Sequence, residues 1–249
     1  MSADELLGAS VAQLERAIVD AVAPAAVCEM EGWIVAFDTG TVSRAKSAAP
    51  LSHAAGDPRA IANVRAAYVE RGLDALFRVP QLDTFDAVAQ ELARRGFSGG
   101  RPTDVQVARA ARVARAITPT GVRIDAQPDE AWASVFLGEG FDPVDGASRV
   151  RTLTRAPGSL FASIREGDRV VAAGVLALGH GWAGIHGMRT AQSHRGQRLA
   201  TGVLAALAQA ALERGYVRLM LQVERENEAA QKLYARCGFE RAWTYLYWK

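Results

Sequence analysis

The feature that most constrains the fold is a basic, glycine-containing segment between a strand pattern and a helix pattern. Residues 192–200 read Gln-Ser-His-Arg-Gly-Gln-Arg-Leu-Ala, and residues 182–190 before them are typical of a strand. Apolar residues then recur at helical spacing, at Val203, Leu204, Leu207, Ala211 and Leu212. The first turn of a helix has backbone N–H groups without intrahelical partners and carries partial positive charge. The segment therefore predicts a phosphate site, to which Arg195 and Arg198 add charge.

A second strand and helix follow, as expected of a chain that returns to the same sheet. Residues 218–223 have a strand pattern, and residues 227–239 have a helix pattern that begins on a capping-type Asn and stops at Gly238. The order is strand, phosphate loop, helix, strand, helix. Together with the loop, Asn227 and Tyr234, this order resembles the GNAT superfamily of acyl-CoA-dependent N-acetyltransferases. The resemblance covers about residues 121–249.

The loop departs from the family's pattern at one position. That pattern reads Arg/Gln-x-x-Gly-x-Gly/Ala, and here Arg195 opens it and Ala200 closes it, but Arg198 stands at the middle glycine. A backbone N–H survives this replacement, whereas a positive φ would be costly for an arginine. We expect the loop to keep its donors, and the substitution puts its shape in question.

The resemblance implies acetyl-CoA as co-substrate and assigns the residues that hold it. The backbone of Met188, Arg189 and Thr190 is expected to hydrogen-bond the pantetheine, which Asn227 also contacts. The expected phosphate-binding residues are Arg195, Gly196, Gln197, Arg198, Leu199, Ala200 and Thr201.

Acetyl transfer from a thioester to an amine needs an uncharged nucleophile, a polarised carbonyl and a proton for the departing thiolate. By resemblance Tyr234 donates that proton, and the alternative is that it only fills core. His186 lies two residues before Met188, which predicts the same strand face, and its ordinary pKa suits a general base. The alternatives are a hydrogen-bonded core histidine, and Glu224 as the base.

The first half of the chain repeats the order of the second. Its pattern predicts helices at 11–19, 59–71 and 84–95, a hairpin of strands at 32–37 and 41–47, and further strands at 73–79 and 105–108. Glu-Arg-Gly at 70–72 recurs at 213–215, and Gly-Phe at 96–97 recurs at 238–239, with nearly equal separations. Chance is the alternative explanation, because glycine is common at helix ends.

The predicted fold is therefore α/β (α+β), with two GNAT-like halves in tandem, each a mixed sheet flanked by helices. The predicted domains are 1–116 and 121–249, joined by a linker that contains Pro and Gly. Leu92 falls at the position of Tyr234, and residues 52–57 lack the basic-glycine string. We expect the first half to be catalytically empty and to shape one wall of the substrate groove.

Charge and composition argue against several classes of function. The 29 basic and 27 acidic residues give a net charge of +2, which indicates neither a nucleic-acid nor a membrane partner. No apolar run is long enough to cross a bilayer and the start lacks a signal-peptide pattern, so we expect a cytoplasmic protein. The spacing of Cys28 and Cys237 indicates no metal site.

The acceptor is the least legible part of the sequence. We expect a small-molecule primary amine, with a protein lysine, a protein N-terminus or a non-catalytic acyl-CoA sensor as alternatives. No basic or acidic cluster is visible in the segments expected to form the groove. The aromatic residues 243–248 have a strand pattern and could line the groove, a subunit interface of a homodimer, or the core.

Overall fold

The computed structural model describes residues 8–138 and 142–249. Its helices are α1 (Val11–Asp20), α2 (Ala60–Val69), α3 (Asp86–Arg94), α4 (Ala110–Ala114), α5 (Glu130–Ser134), α6 (Pro143–Arg155), α7 (Leu199–Glu213) and α8 (Glu228–Arg236). Its strands are β1 (Ala26–Met30), β2 (Trp33–Phe37), β3 (Ala48–Pro50), β4 (Phe77–Pro80), β5 (Gly99–Arg109), β6 (Val122–Asp125), β7 (Leu160–Glu166), β8 (Arg169–Gly179), β9 (Trp182–Thr190), β10 (Arg218–Glu224) and β11 (Glu240–Trp248). Within this part of the chain, no helix is long and apolar enough to span a membrane.

The eleven strands of the described residues belong to one mixed sheet, in the order β1-β2-β3-β4-β11-β5-β10-β9-β8-β7-β6. The two halves exchange their last strands. β5, from the first half, pairs antiparallel with β10, and β11, from the second half, pairs antiparallel with β4. β5 and β11 also pair with each other at the centre of the sheet. Each half therefore completes its sheet only with a strand from the other.

The two halves repeat the same helix and strand order around this centre. β3 and β4 pair in parallel, as do β9 and β10. Helices α3 and α8 each have nine residues, with Leu92 seventh in one and Tyr234 seventh in the other. The predicted mixed α/β fold of two GNAT-like halves is confirmed, and the domain limits 1–116 and 121–249 stay a prediction.

Helices cover both faces of the sheet near β9 and β10. On one face, Val203, Leu204 and Leu207 of α7 pack into a core that includes Ile185 and Leu221. On the other, α1 packs through residues that include Leu14 and Ile18 against Trp182 and Met220. Ser10 and Gln13 begin α1 with reciprocal capping hydrogen bonds, which satisfy its first free amides. Residues of β9 and β10 therefore alternate between two differently covered sides.

The predicted hairpin of residues 32–37 and 41–47 is wrong. Strand β2 pairs with β1 and β3, whereas Ser43–Lys46 forms a short 3-10 helix. Residue 45 is a buried alanine, while Arg44 next to it is half-buried, a pattern that one helical turn provides as readily as a strand does. The turn places Arg44 beside β10 from the other half, where it donates a hydrogen bond to Gln222.

Candidate active site

The site is a cleft between β9 and β10. The two strands pair only at Leu219↔Ala183 and Met220↔Gly184, after which they separate. Beyond these pairs β9 pairs with β8 and β10 pairs with β5, so the edges that face each other are left without a strand partner. The gap widens into a cavity of about 360 Å³. A slot between two diverging parallel strands can admit a narrow chain that hydrogen-bonds to their edges.

A glycine bulge in β9 shapes the wall of this cleft. The register with β8 shifts between Val175↔His186 and Ala173↔Arg189, which leaves an extra residue in β9. Gly187 has φ +58°, and a Cβ there would lie 2.7 Å from the Leu153 side chain. Both the left-handed backbone and the close packing therefore require glycine at this position.

The bulge also corrects the prediction that His186 and Met188 share a face. A Cβ on Gly174 would meet the Met188 sulfur and Val203 of α7, which puts Met188 on the α7 side. His186 lies instead over Gly184, where Met220 also packs. The extra residue reverses the alternation of the strand, so the two side chains approach the cleft from opposite faces.

Tyr234 lines the cleft from α8 and is 7% exposed. It packs edge-on against Phe239, with the ring centroids 5.8 Å apart. Within the described residues its hydroxyl forms no hydrogen bond, and because that oxygen is not among the fully enclosed unpaired atoms, it opens to the cleft. Burial raises the pKa of Tyr234 to about 12, the Cys237 thiol adds to this, and the Arg189 charge opposes it. The phenol therefore stays protonated at neutral pH.

His186 lines the cleft on the side opposite α7 and is 3% exposed. Neither ring nitrogen has a hydrogen-bond partner in the described chain. Burial, and then the Arg44 charge, lower the pKa of His186 well below its usual value. The imidazole is neutral and a weak base. Glu224, the second candidate base, lies exposed at the mouth of the cleft.

The predicted phosphate loop lies at the start of α7. Gly196 has φ +80°, and Arg198 occupies the position before the helix with φ +60°, a left-handed conformation that is unfavourable for an arginine. No side chain caps α7. Arg195 and Arg198 are exposed, and neither forms an ion pair among the described residues. The loop therefore keeps the free amides and charges on which its prediction rested.

The remaining predicted contacts lie around the cleft. Met188 and Arg189 line it, and Thr190 follows them at the end of β9. Asn227 lines it too, but its side-chain oxygen caps α8 by accepting from the Ala230 amide at 3.2 Å. Gly196 and Gln197 are exposed, and Leu199, Ala200 and Thr201 are half-buried in the first turn of α7. Burial, and then the Arg149 charge, lower the pKa of Arg189, an effect to which Arg195 contributes.

Sequence reasoning missed a group of arginines in the cleft. Four described lining residues are arginines, contributed by separate segments of both halves: Arg44, Arg101, Arg149 and Arg189. The first half also supplies Thr41, whose backbone amide donates a hydrogen bond to Ser148 Oγ of the second half at 3.0 Å. Residues of the first half therefore line one side of this cleft. The expectation of no basic cluster is wrong, because folding gathers residues that are far apart in sequence.

The splayed strands, the bulge and the uncapped helix start define the class as the GNAT fold. The structure resembles a GCN5-related N-acetyltransferase from Kribbella flavida with a TM-score of 0.72 and 17% identity, covering 97% of this chain and 95% of that one. It resembles a tandem GNAT protein from the clavulanic acid biosynthesis pathway with a TM-score of 0.61 and 16% identity, covering 96% and 94%. These likenesses concern the fold, and the second supports two GNAT-like halves.

The chain belongs to the family described as "Probable histone acetyltransferase Rv0428c C-terminal", whose sequence model matches residues 8–248. It is also 30% identical over 115 residues to the uncharacterized N-acetyltransferase YobR of Bacillus subtilis (strain 168). That alignment covers 45% of this chain and 47% of YobR, so it spans about half of that relative. The predicted membership of the GNAT superfamily is confirmed.

Proposed function

We propose that the protein transfers an acetyl group from acetyl-CoA to a primary amine of a small molecule. The observation that carries the proposal is Tyr234, a buried phenol without a hydrogen-bond partner in the described chain, which lines the gap between β9 and β10. A proton donor at this point is what a departing thiolate needs. The uncapped start of α7, with Arg195 and Arg198, fits a pyrophosphate.

The residues of the cleft divide the chemistry between two faces of the sheet. Acetyl-CoA, when bound, supplies the thioester that is attacked. Tyr234 holds a proton on the α7 side, and its raised pKa keeps that proton in place until a basic thiolate forms. His186 is neutral on the opposite side and can accept a hydrogen bond from the incoming amine. Because the pKa of His186 is low, we assign it to orienting the amine rather than to accepting the amine's proton. Glu224 at the mouth of the cleft can accept that proton through a water molecule.

A peptide lysine is the second candidate acceptor, because the family's description names a probable histone acetyltransferase. The charge of the cleft argues against it: Arg44 and Arg101, whose hydrogen-bond partners are neutral, would repel the basic residues that surround a histone lysine. A sensor that binds acyl-CoA without transferring the acyl group is a third candidate. It has no need of the proton donor that Tyr234 provides.

Calorimetry with acetyl-CoA tests the cofactor part of the proposal. We expect one site per chain, because the basic-glycine loop occurs only before α7. Arg195→Glu places a negative charge beside the free amides and should weaken binding by about tenfold or more. Arg65→Glu, an exposed change on α2, is the matched control. Two equivalent sites, or equal affinity in both variants, would contradict the proposed site.

A further inference from the structure

We propose that the acceptor amine carries a carboxylate and that Arg44 and Arg101 bind it. This inference rests on the proposed function and adds the chemical class of its substrate. It starts from the charges of the cleft. Among the described lining residues four are arginines, whereas Glu224 is the one carboxylate and lies exposed at the mouth. Arginine side chains therefore outnumber carboxylates among the residues that line the cleft.

Acidic partners balance some of the arginines in and near the cleft but not Arg44 or Arg101. Arg149 donates to Asp145 at 2.5 Å, and the buried Arg78 nearby pairs with Glu15 at 2.9 Å. Arg44 instead donates to the neutral Gln222. Arg101 donates to Ser43 Oγ at 2.7 Å and lies over the Tyr247 ring, 4.5 Å from its centroid. Within the described chain, neither Arg44 nor Arg101 has a carboxylate partner.

The surroundings of Arg44 disfavour its positive charge. Burial lowers its pKa, and the neighbouring charges that lower it further are Arg78 and Arg149. The Tyr245 and Tyr247 phenols oppose this and favour the charged form. An incompletely solvated guanidinium without a counter-charge is destabilising unless an anion completes its environment. The planar guanidinium fork matches a carboxylate in two parallel hydrogen bonds.

The position of these arginines assigns the anion to the acceptor. Gln222, to which Arg44 bonds, reaches the Met220 sulfur on the side of the sheet that faces α1. Tyr245 and Tyr247 also belong to the core on that side, whereas Tyr234 and α7 lie on the other. An acyl donor bound beside α7 would approach from the Tyr234 side, and the acceptor would enter opposite it. The cleft of about 360 Å³, part of which the acyl arm would fill, leaves room for a small amine.

Paired amines test the proposal in a thiol-release assay with acetyl-CoA. Each α-amino acid of a panel is compared with its own α-amide, which has the same skeleton but no carboxylate. We expect kcat/KM to be at least about tenfold higher for the best acid than for its amide. Arg44→Gln should lower the value for the acid by about 10- to 100-fold and change the amide little, as expected for loss of a charge-assisted hydrogen bond. Arg44→Lys should restore part of it.

Two further variants keep the result interpretable. Arg101→Gln changes an exposed residue and should also lower kcat/KM for the acid more than for the amide. It serves as the test variant if Arg44→Gln folds poorly. Arg65→Gln, outside the cleft, should match the wild type. Equal rates for acids and amides, or a loss in Arg44→Gln shared by both, would overturn the proposal. So would an Arg44-dependent preference for succinyl-CoA over acetyl-CoA with a neutral amine, because it would place the anion on the donor. Failure to bind acetyl-CoA would instead overturn the proposed function.

Discussion

Mild acid should destabilise the protein because His53, which packs between aromatic rings, is neutral in the folded state. His53 lies edge-on between Phe85 and Trp243, with centroids 6.0 and 4.7 Å away, and its buried Nε2 has no hydrogen-bond partner in the described chain. Phe85 precedes α3 as Asn227 precedes α8, so this aromatic cluster stands near the first-half counterpart of the cleft. Burial lowers the pKa of His53 to about 4.

The direction of the effect follows from proton binding. Between pH 6.5 and 4 the unfolded chain binds a proton at residue 53 that the folded chain does not, so stability falls as the pH falls. With these two pKa values, the loss between pH 8 and pH 5 is about 2 kcal/mol from His53 alone. His186, whose pKa burial also lowers, contributes in the same direction. Above pH 5, carboxylates of ordinary pKa contribute little.

His53→Phe keeps an aromatic ring in place and removes the titration. The free energy of unfolding is measured with urea at pH 8, 7, 6 and 5. Between pH 8 and pH 5 it should fall by about 2 kcal/mol less in His53→Phe than in the wild type. His180→Asn removes an imidazole that pairs with Asp20 at 2.8 Å, and should not reduce the loss. An unchanged pH dependence in His53→Phe would refute the claim that residue 53 is buried as a neutral ring.

Two other predictions concern the loop and the exchanged strands. Arg198→Gly should raise the free energy of unfolding by about 1 kcal/mol, because glycine adopts the left-handed backbone at φ +60° without strain. Gly196→Ala, at φ +80°, should lower the free energy of unfolding in the same melting assay. A fragment of residues 117–249 lacks β5, so the edges of β10 and β11 that pair with β5 are left unpaired. This fragment should be insoluble or weakly active. Co-expression of residues 1–116 should restore its solubility and activity. A soluble fragment with full activity would mean that the second half is independent.

Much of the second half could be predicted from sequence. The strand at 182–190, the helix after the basic loop and the helix opened by Asn227 lie where their patterns indicated, because period, capping residue and terminal glycine agree there. The arginine at the family's glycine position put the loop's shape in question, and the structure gives that residue φ +60°.

Three features depended on contacts that a local pattern does not carry. The exchange of β5 and β11 is a pairing between distant segments, which alternation cannot specify. The face of His186 was mistaken because Gly187 inserts a bulge, and a glycine inside a strand was the available signal. The arginines of the cleft come from separate segments, and the 3-10 turn that carries Arg44 was predicted as a strand.

The most direct test of the account is the separation of binding from turnover in Tyr234→Phe. The change removes one hydroxyl from the cleft, so acetyl-CoA affinity by calorimetry should stay within about twofold, while turnover falls by about 10- to 10⁴-fold. Tyr68→Phe is the control, because that buried hydroxyl donates to the Ala36 carbonyl at 3.0 Å, and neither residue lines the cleft. An unchanged rate in Tyr234→Phe would contradict the account and make Tyr234 a core residue.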